Sequence, residues 1–193
     1  MYMENIRDEL FSSPTTGRHN LIVGGLKTEI HLAVRNAVKS GKAFVFTDTV
    51  ALVYYGSVKN PLDYSMRKLV DVREIGDLTG FTEKVINKLD YVEPDLMLFN
   101  DSTFVVNKDG TRYAGVPDLI VEVWSESNTD LHKQVKFDLY SASPDLEHWY
   151  IEQDSPVIRC FMGKSELAQQ DLTGPVATQR GIAIDVGYLA PVV

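Results

Sequence analysis

Apolar positions recur along this chain in spacings that separate helices from strands. From His19 to Val38 there is no proline, and Leu21, Ile22, Leu26, Ile30, Ala33, Val34 and Ala37 return at steps of three and four, which predicts one amphipathic helix. Gly24-Gly25 each cost about 1 kcal/mol against alanine inside a helix, which is tolerable where the helix packs closely on a neighbour. Ser40-Gly41-Lys42 stops it. A second helix over Asp130 to Ala142 puts Leu131, Val135, Leu139 and Ala142 on one buried stripe. Lys136 stands about 100° from Val135, at the margin of that stripe, with Tyr140 one turn beyond. Lys133 lies further round and reads as a solvated charge.

Runs rich in β-branched and aromatic residues predict the strands. Ala43 to Tyr55, AFVFTDTVALVYY, reads as one bent strand or a hairpin turning near Thr47-Asp48. Further strands are expected at Val92–Phe99, Phe104–Val106, Leu119–Trp124, His148–Ile151, Val157–Met162 and Ile182–Val186. Asn107-Lys108-Asp109-Gly110 and Asp154-Ser155-Pro156 are turns. Residues 1–13 predict one helical turn built on Ile6, Leu10 and Phe11. Gly56 to Tyr91, with Asn60-Pro61, many charges and an amphipathic piece from Thr82 to Leu89, reads as an inserted excursion: a lid, a dimer arm, a substrate-contacting flap or a packed peripheral element. The order of elements predicts an α/β (α+β) domain, a mixed sheet with helices against it.

Composition narrows the class. A chain of 193 residues with 44% apolar and 24% charged residues is expected to form one domain, residues 1–193, with a sizeable core. No apolar run approaches the roughly 18 residues of a membrane span, and MYMENIRDEL lacks the order of a signal peptide, so a cytoplasmic protein with no membrane partner is expected. The single cysteine, Cys160, reads as a strand core residue, and no Cys/His cluster has zinc spacing. A net charge of −8 argues against a broad nonspecific grip on nucleic acid, so any nucleic-acid reading must rest on a local site.

The candidate site comes from the stretch GVPDLIVEVWSES, which begins at Gly115. Leu119, Ile120, Val121, Val123 and Trp124 are too apolar for a half-exposed edge and read as a strand covered on both faces, with Glu122 in its middle. A lone buried carboxylate costs several kcal/mol unless a cation, a metal or hydrogen bonds compensate. If the strand opening at Asp95 is the antiparallel neighbour of this one, Asp95 approaches Glu122, and two converging carboxylates suit a hard divalent cation such as Mg²⁺. Asp118 shares the parity of Glu122 but lies roughly 13 Å away along a strand, so it reads as a strand-start residue holding backbone amides or as a turn cap. Lys136 can reach back over the sheet and stabilise charge developing on a phosphate. The four histidines are scattered, and no glycine-rich phosphate loop or GxSxG elbow is present.

At these residues the sequence resembles the Uma2 family of the PD-(D/E)xK restriction-endonuclease-like superfamily. The likeness rests on PDLMLF with Asp95, GVPDLIVEVWSES with Asp118 and Glu122, KFDLY from Lys136, and EHWYIEQ from Glu147; it extends to PTTGRH with His19 and to GIAIDV. It implies a restriction-endonuclease-like mixed sheet flanked by helices and a metal-dependent endonuclease acting on DNA. Asp95 and Glu122 would be ligands of Mg²⁺, with Mn²⁺ as an alternative ion. The superfamily places its lysine two residues after the Glu, where this chain has Trp124; in Uma2-type proteins the next helix supplies it, which makes Lys136 the catalytic lysine. Beside these, Asp118 and Tyr140 are expected to position the groups around the metal. Pairing into a homodimer is expected by the same analogy. The competing expectation is a nuclease-fold module without catalysis that binds nucleic acid or a protein.

Overall fold

The computed structural model describes residues 2–6, 9–13, 17–47, 50–55, 68–75, 83–100, 103–155, 157–167, 169–171 and 173–189. In chain order these form β1 (Tyr2–Ile6), β2 (Glu9–Ser13), α1 (Gly17–Ala33), α2 (Arg35–Lys39), β3 (Ala43–Thr47), β4 (Ala51–Tyr55), β5 (Lys68–Leu69), α3 (Glu83–Ile86), β6 (Asp90–Val92), β7 (Leu96–Asn100), β8 (Phe104–Val106) and β9 (Arg112–Gly115). There follow β10 (Leu119–Trp124), α4 (Asp130–Ser141), β11 (Glu147–Glu152), β12 (Val157–Met162), β13 (Ser165–Glu166), β14 (Gln170–Asp171), β15 (Pro175–Ala177) and β16 (Ala183–Asp185).

The main sheet runs β13-β12-β11-β10-β7-β3, with β14 added on β12. Its centre is β10, parallel to β11 and antiparallel to β7, and all six of its residues are buried. That burial follows from two coverings. Leu119, Val121 and Val123 pack with Ile22, Val23, Leu26 and Ile30 of α1 on one face. Ile120 and Trp124 pack with Val135, Leu139 and Tyr140 of α4 on the other. A second sheet, β5-β4-β9-β8 with β6 on β4, stands beside it. Gly115 ends β9 just before β10: a Cβ there would sit 2.8 Å from the Cβ of its cross-strand partner Phe104, so only glycine lets β8 and β9 approach so closely at this point. None of the described helices is long and apolar enough to cross a membrane.

Several local expectations are corrected. Residues 2–6 and 9–13 pair as an antiparallel hairpin, not a helical turn. The long helix breaks at Val34 into α1 and α2, although Gly24-Gly25 remain inside α1. β3 and β4 are no hairpin, because β3 pairs with β7 in the main sheet while β4 pairs with β5, β6 and β9 in the second. The strand expected from Val92 likewise divides into β6 and β7, one in each sheet. Apolar alternation marks extended chain but does not say which sheet receives it, and here the chain changes sheets at these points. Of the excursion, residues 56–67 and 76–82 lie outside the described residues, as do Asp48 and Pro156 of the expected turns. The rest contributes β5, α3 and β6, so this part is a packed element of the second sheet.

The buried face of α4 is turned from the expected stripe. Leu131 is 44% exposed and Ala142 is exposed, while His132, Val135, Lys136, Leu139 and Tyr140 are buried. The helix therefore presents Lys136 centrally to the sheet, not at a margin. Thr129 fixes where it begins, its hydroxyl accepting the His132 amide at 3.2 Å.

Candidate active site

Side chains alternate across a strand, so Glu122 shares the face of Ile120 and Trp124 and points at α4. There the ammonium of Lys136 donates to Glu122 Oε2 at 2.9 Å and to the Glu93 carbonyl at 3.0 Å, and the Tyr140 hydroxyl donates to Glu122 Oε1 at 2.6 Å. Lys136 and Tyr140 are four residues apart on α4, the spacing that places two side chains on one face. The carboxylate is thus buried with a cation and a phenol, which answers the cost of its desolvation.

Asp95 immediately precedes the neighbouring strand β7. β7 and β10 pair as Leu98 with Leu119, Met97 with Ile120 and Leu96 with Val121, so one further step sets Asp95 opposite Glu122. Asp95 Oδ2 accepts the Val123 amide at 2.6 Å. Its Oδ1 lies 3.2 Å from Nε2 of His19 on α1. This carboxylate thereby ties the first helix to the central strand. Two polar clusters thus flank the middle of β10: Glu122 with Lys136 and Tyr140 of α4, and Asp95, just before β7, with His19 of α1.

His19 is the residue that pattern reading passed over as one of four scattered histidines. Its signal was present: positions 19, 22, 23, 26 and 30 form the buried face of α1, and His19 is its one polar member. Trp124 occupies the place two residues after the Glu and serves as a platform, with Lys136 Nζ 5.5 Å and Lys133 Nζ 6.0 Å from its ring centre. Lys133, expected in solvent, pairs with Glu152 at 2.8 and 3.0 Å.

The structure does not bring Asp118 to this cluster. It stands at the start of β10, four residues from Glu122, where its Oδ2 accepts the Asn100 amide and its Oδ1 pairs with Arg180. This is the strand-start role, and the distance along the strand excludes contact with an ion held at Glu122. Glu147 shares this far end: its oxygens accept Trp149 Nε1 at 2.7 Å and the Gln179 amide at 2.8 Å, and burial raises its pKa. These two acids fasten the segment around Gln179 and Arg180 to the sheet.

His148 is likewise structural. It is buried between the Tyr150 hydroxyl, 2.9 Å from Nδ1, and the Gly163 carbonyl, 2.8 Å from Nε2, and burial lowers its pKa to about 4. It is neutral at pH 7. Cys160 is buried as expected, its thiol pushed up to about 12 by desolvation.

Among the described residues no group of three or more His, Cys, Asp or Glu side chains is arranged to hold a metal. Asp95 and Glu122, on neighbouring chain segments, would together offer two carboxylates. That fits Mg²⁺, commonly held by one or two carboxylates with water completing the shell, and does not fit a structural zinc site.

The profile of the Uma2 family, described as "Putative restriction endonuclease", matches residues 67–185. The chain belongs to the Uma2 family. The Uma2 match takes in Asp95, Asp118, Glu122 and Lys136 and begins after α1, so it does not include His19. A solved structure from Anabaena variabilis ATCC 29413, described as a "putative nuclease", aligns with 97% of this chain and 90% of its own at a TM-score of 0.61 and 15% identity. At that identity the likeness establishes the shared fold alone. No curated protein matches the chain.

Proposed function

We propose that this Uma2 protein is a Mg²⁺-dependent endonuclease hydrolysing phosphodiester bonds in DNA, with Mn²⁺ able to replace the ion. Asp95 and Glu122 would hold the metal. Bound there, it supplies positive charge at the scissile phosphate and a water acidified enough to attack near neutral pH. Lys136, held between Glu122 and the Glu93 carbonyl, is a fixed ammonium for charge developing on the phosphate. Tyr140 holds the Glu122 rotamer and His19 holds that of Asp95, so both carboxylates are set before substrate arrives.

The observation that carries this reading is the buried Glu122–Lys136 pair. Replacing such a pair by well-packed apolar side chains is often neutral or stabilising by roughly 1–4 kcal/mol, so stability gives little reason to keep it. Family membership and the adjacent Asp95 then favour nuclease chemistry over a structural pair. The test is nicking of supercoiled plasmid by purified protein with Mg²⁺, Mn²⁺ or EDTA. Cleavage is expected with either ion, none in EDTA, and background levels for Asp95→Asn with an unchanged circular dichroism spectrum. Undiminished cleavage by Asp95→Asn would remove the reading.

One observation favours a nuclease-fold module that binds without cutting: Lys136 and Tyr140 already engage both oxygens of Glu122. Mn²⁺ titration separates the two, because metal affinity without hydrolysis of any nucleic acid supports the module. Cutting both strands of a duplex would call for two copies of the site, and sedimentation with and without duplex DNA reports whether the protein pairs.

A further inference from the structure

A cleft of about 670 Å³ opens between α4 and strands β11 and β12, with residues of all three in its lining. It falls within the range of small-ligand sites. Trp124, Phe137, Tyr150 and Phe161 give it an aromatic floor, and Lys133 and Arg159 stand at its rim. Trp124 and Tyr150 stack on each other and Phe161 lies between His148 and Arg159, all three at 8% exposure or less, so among these rings the half-buried Phe137 is the one that meets a planar ligand. Gln134, Ser155 and Gln169 add hydrogen-bonding groups to the wall. Both rim cations face carboxylates, Lys133 with Glu152 and Arg159 with Glu166 at 3.0 Å, so the mouth has mixed charge. A free anion is poorly served by such a mouth. A flat heterocycle with polar edges fits the combination.

The position of the cleft narrows the ligand. Tyr150 pairs in register with Glu122 on one side and with Arg159 on the other, so Glu122, Tyr150 and Arg159 form one row across three neighbouring strands. At about 4.8 Å per strand the rim lies roughly 10 Å from Glu122. Trp124 belongs to both places, as cleft wall and as the platform beneath Lys136.

We infer that this cleft seats one unpaired nucleobase of the substrate strand next to the phosphodiester at Glu122, so that the protein prefers single-stranded or locally opened DNA to intact duplex. The inference rests on the nuclease reading for what happens at Glu122, but its binding test does not. Base–aromatic stacking tolerates any base, which gives affinity for single strands without strong sequence preference. A duplex keeps its bases stacked and cannot fill the cleft without unpairing.

The test uses wild-type protein in EDTA, so that binding is read without cleavage, and a short oligodeoxynucleotide carrying one 2-aminopurine, alone or annealed. Tighter binding of the single strand by roughly tenfold or more, with a change in 2-aminopurine fluorescence, is expected from one stacking contact. Val157→Trp, which fills the cleft from β12, and Phe137→Leu, which removes a ring, should each abolish the preference and the fluorescence change. Equal affinity for both strand forms, or a preference untouched by Val157→Trp in a folded variant, would overturn the inference. Metal-dependent plasmid cleavage without the single-strand preference leaves the nuclease reading standing and removes the base pocket. The preference and its loss in Val157→Trp, without cleavage by wild type in Mg²⁺, keep the pocket and remove the nuclease.

Discussion

Lys136 reaches from α4 to Glu122 at the centre of β10, nitrogen to oxygen 2.9 Å, with side chains 4% and 1% exposed. An ion pair this dry is costly to break from one side only. Lys136→Met is expected to lower stability by about 3–5 kcal/mol, since it strands the buried carboxylate. Adding Glu122→Leu and Tyr140→Phe should recover most of that loss while leaving no metal-dependent cleavage. Urea denaturation of the single and triple variants, analysed as a cycle, reads the coupling. Additive losses would mean the pair is not coupled as the structure draws it.

On the proposed function, His19 is a positioning residue that acts through Asp95. His19→Phe keeps bulk on the buried face of α1 but removes the nitrogen 3.2 Å from Asp95 Oδ1. Mn²⁺ affinity is expected to fall by roughly 10–100-fold, the usual cost of losing a group that orients a metal ligand. Partial recovery in His19→Gln would distinguish positioning from packing. Titration followed by electron paramagnetic resonance measures this without turnover.

Asp118 and Arg180 should affect stability and leave chemistry alone. Arg180 is about half exposed, so its pairing with Asp118 is partly screened, and Arg180→Ala is expected to cost about 1 kcal/mol. Metal affinity and cleavage should match wild type. A selective loss of cleavage in folded Arg180→Ala would return Asp118 to the site.

Acid should weaken the fold through His148. Burial depresses its pKa from 6.5 to about 4, so between these values the unfolded chain takes up a proton that the folded chain refuses. The stabilising contribution is complete above pH 6.5 and is lost as pH falls towards 4, a change of about 3 kcal/mol. Glu147, whose pKa is raised by burial, works in the opposite sense: its contribution is present below its ordinary value of 4.5 and declines as pH rises through its raised one. Between pH 7 and 4 the His148 contribution falls while that of Glu147 grows, and His148→Gln should remove the falling part of the profile in a pH series of urea denaturations.

Much of the fold could be read from local text because the signals are local. The buried run of β10, α4 beginning beside Thr129, and the turn at Gly110 each depend on neighbours in sequence. The division of Ala43 to Tyr55 and of Asp90 to Asn100 between two sheets was not legible, because both sheets accept the same alternating pattern. The hairpin of residues 2–13 was missed for a related reason: Ile6, Leu10 and Phe11 are spaced for a helical turn, and strand pairing overrode that spacing.

Sequence alone determined that an acid stands within an oily strand, that Asp95 opens another strand, and that a lysine follows on a helix. Each is a statement about residue type and period. Tertiary structure decided the rest: the rotation of α4 that turns Lys136 inward, the register that sets Asp95 opposite Glu122, and the approach of His19 from a helix more than seventy residues earlier in the chain. The physical reason is that a buried charge selects its partners by desolvation, and the low-cost arrangement depends on which groups the packed layers bring within hydrogen-bond reach.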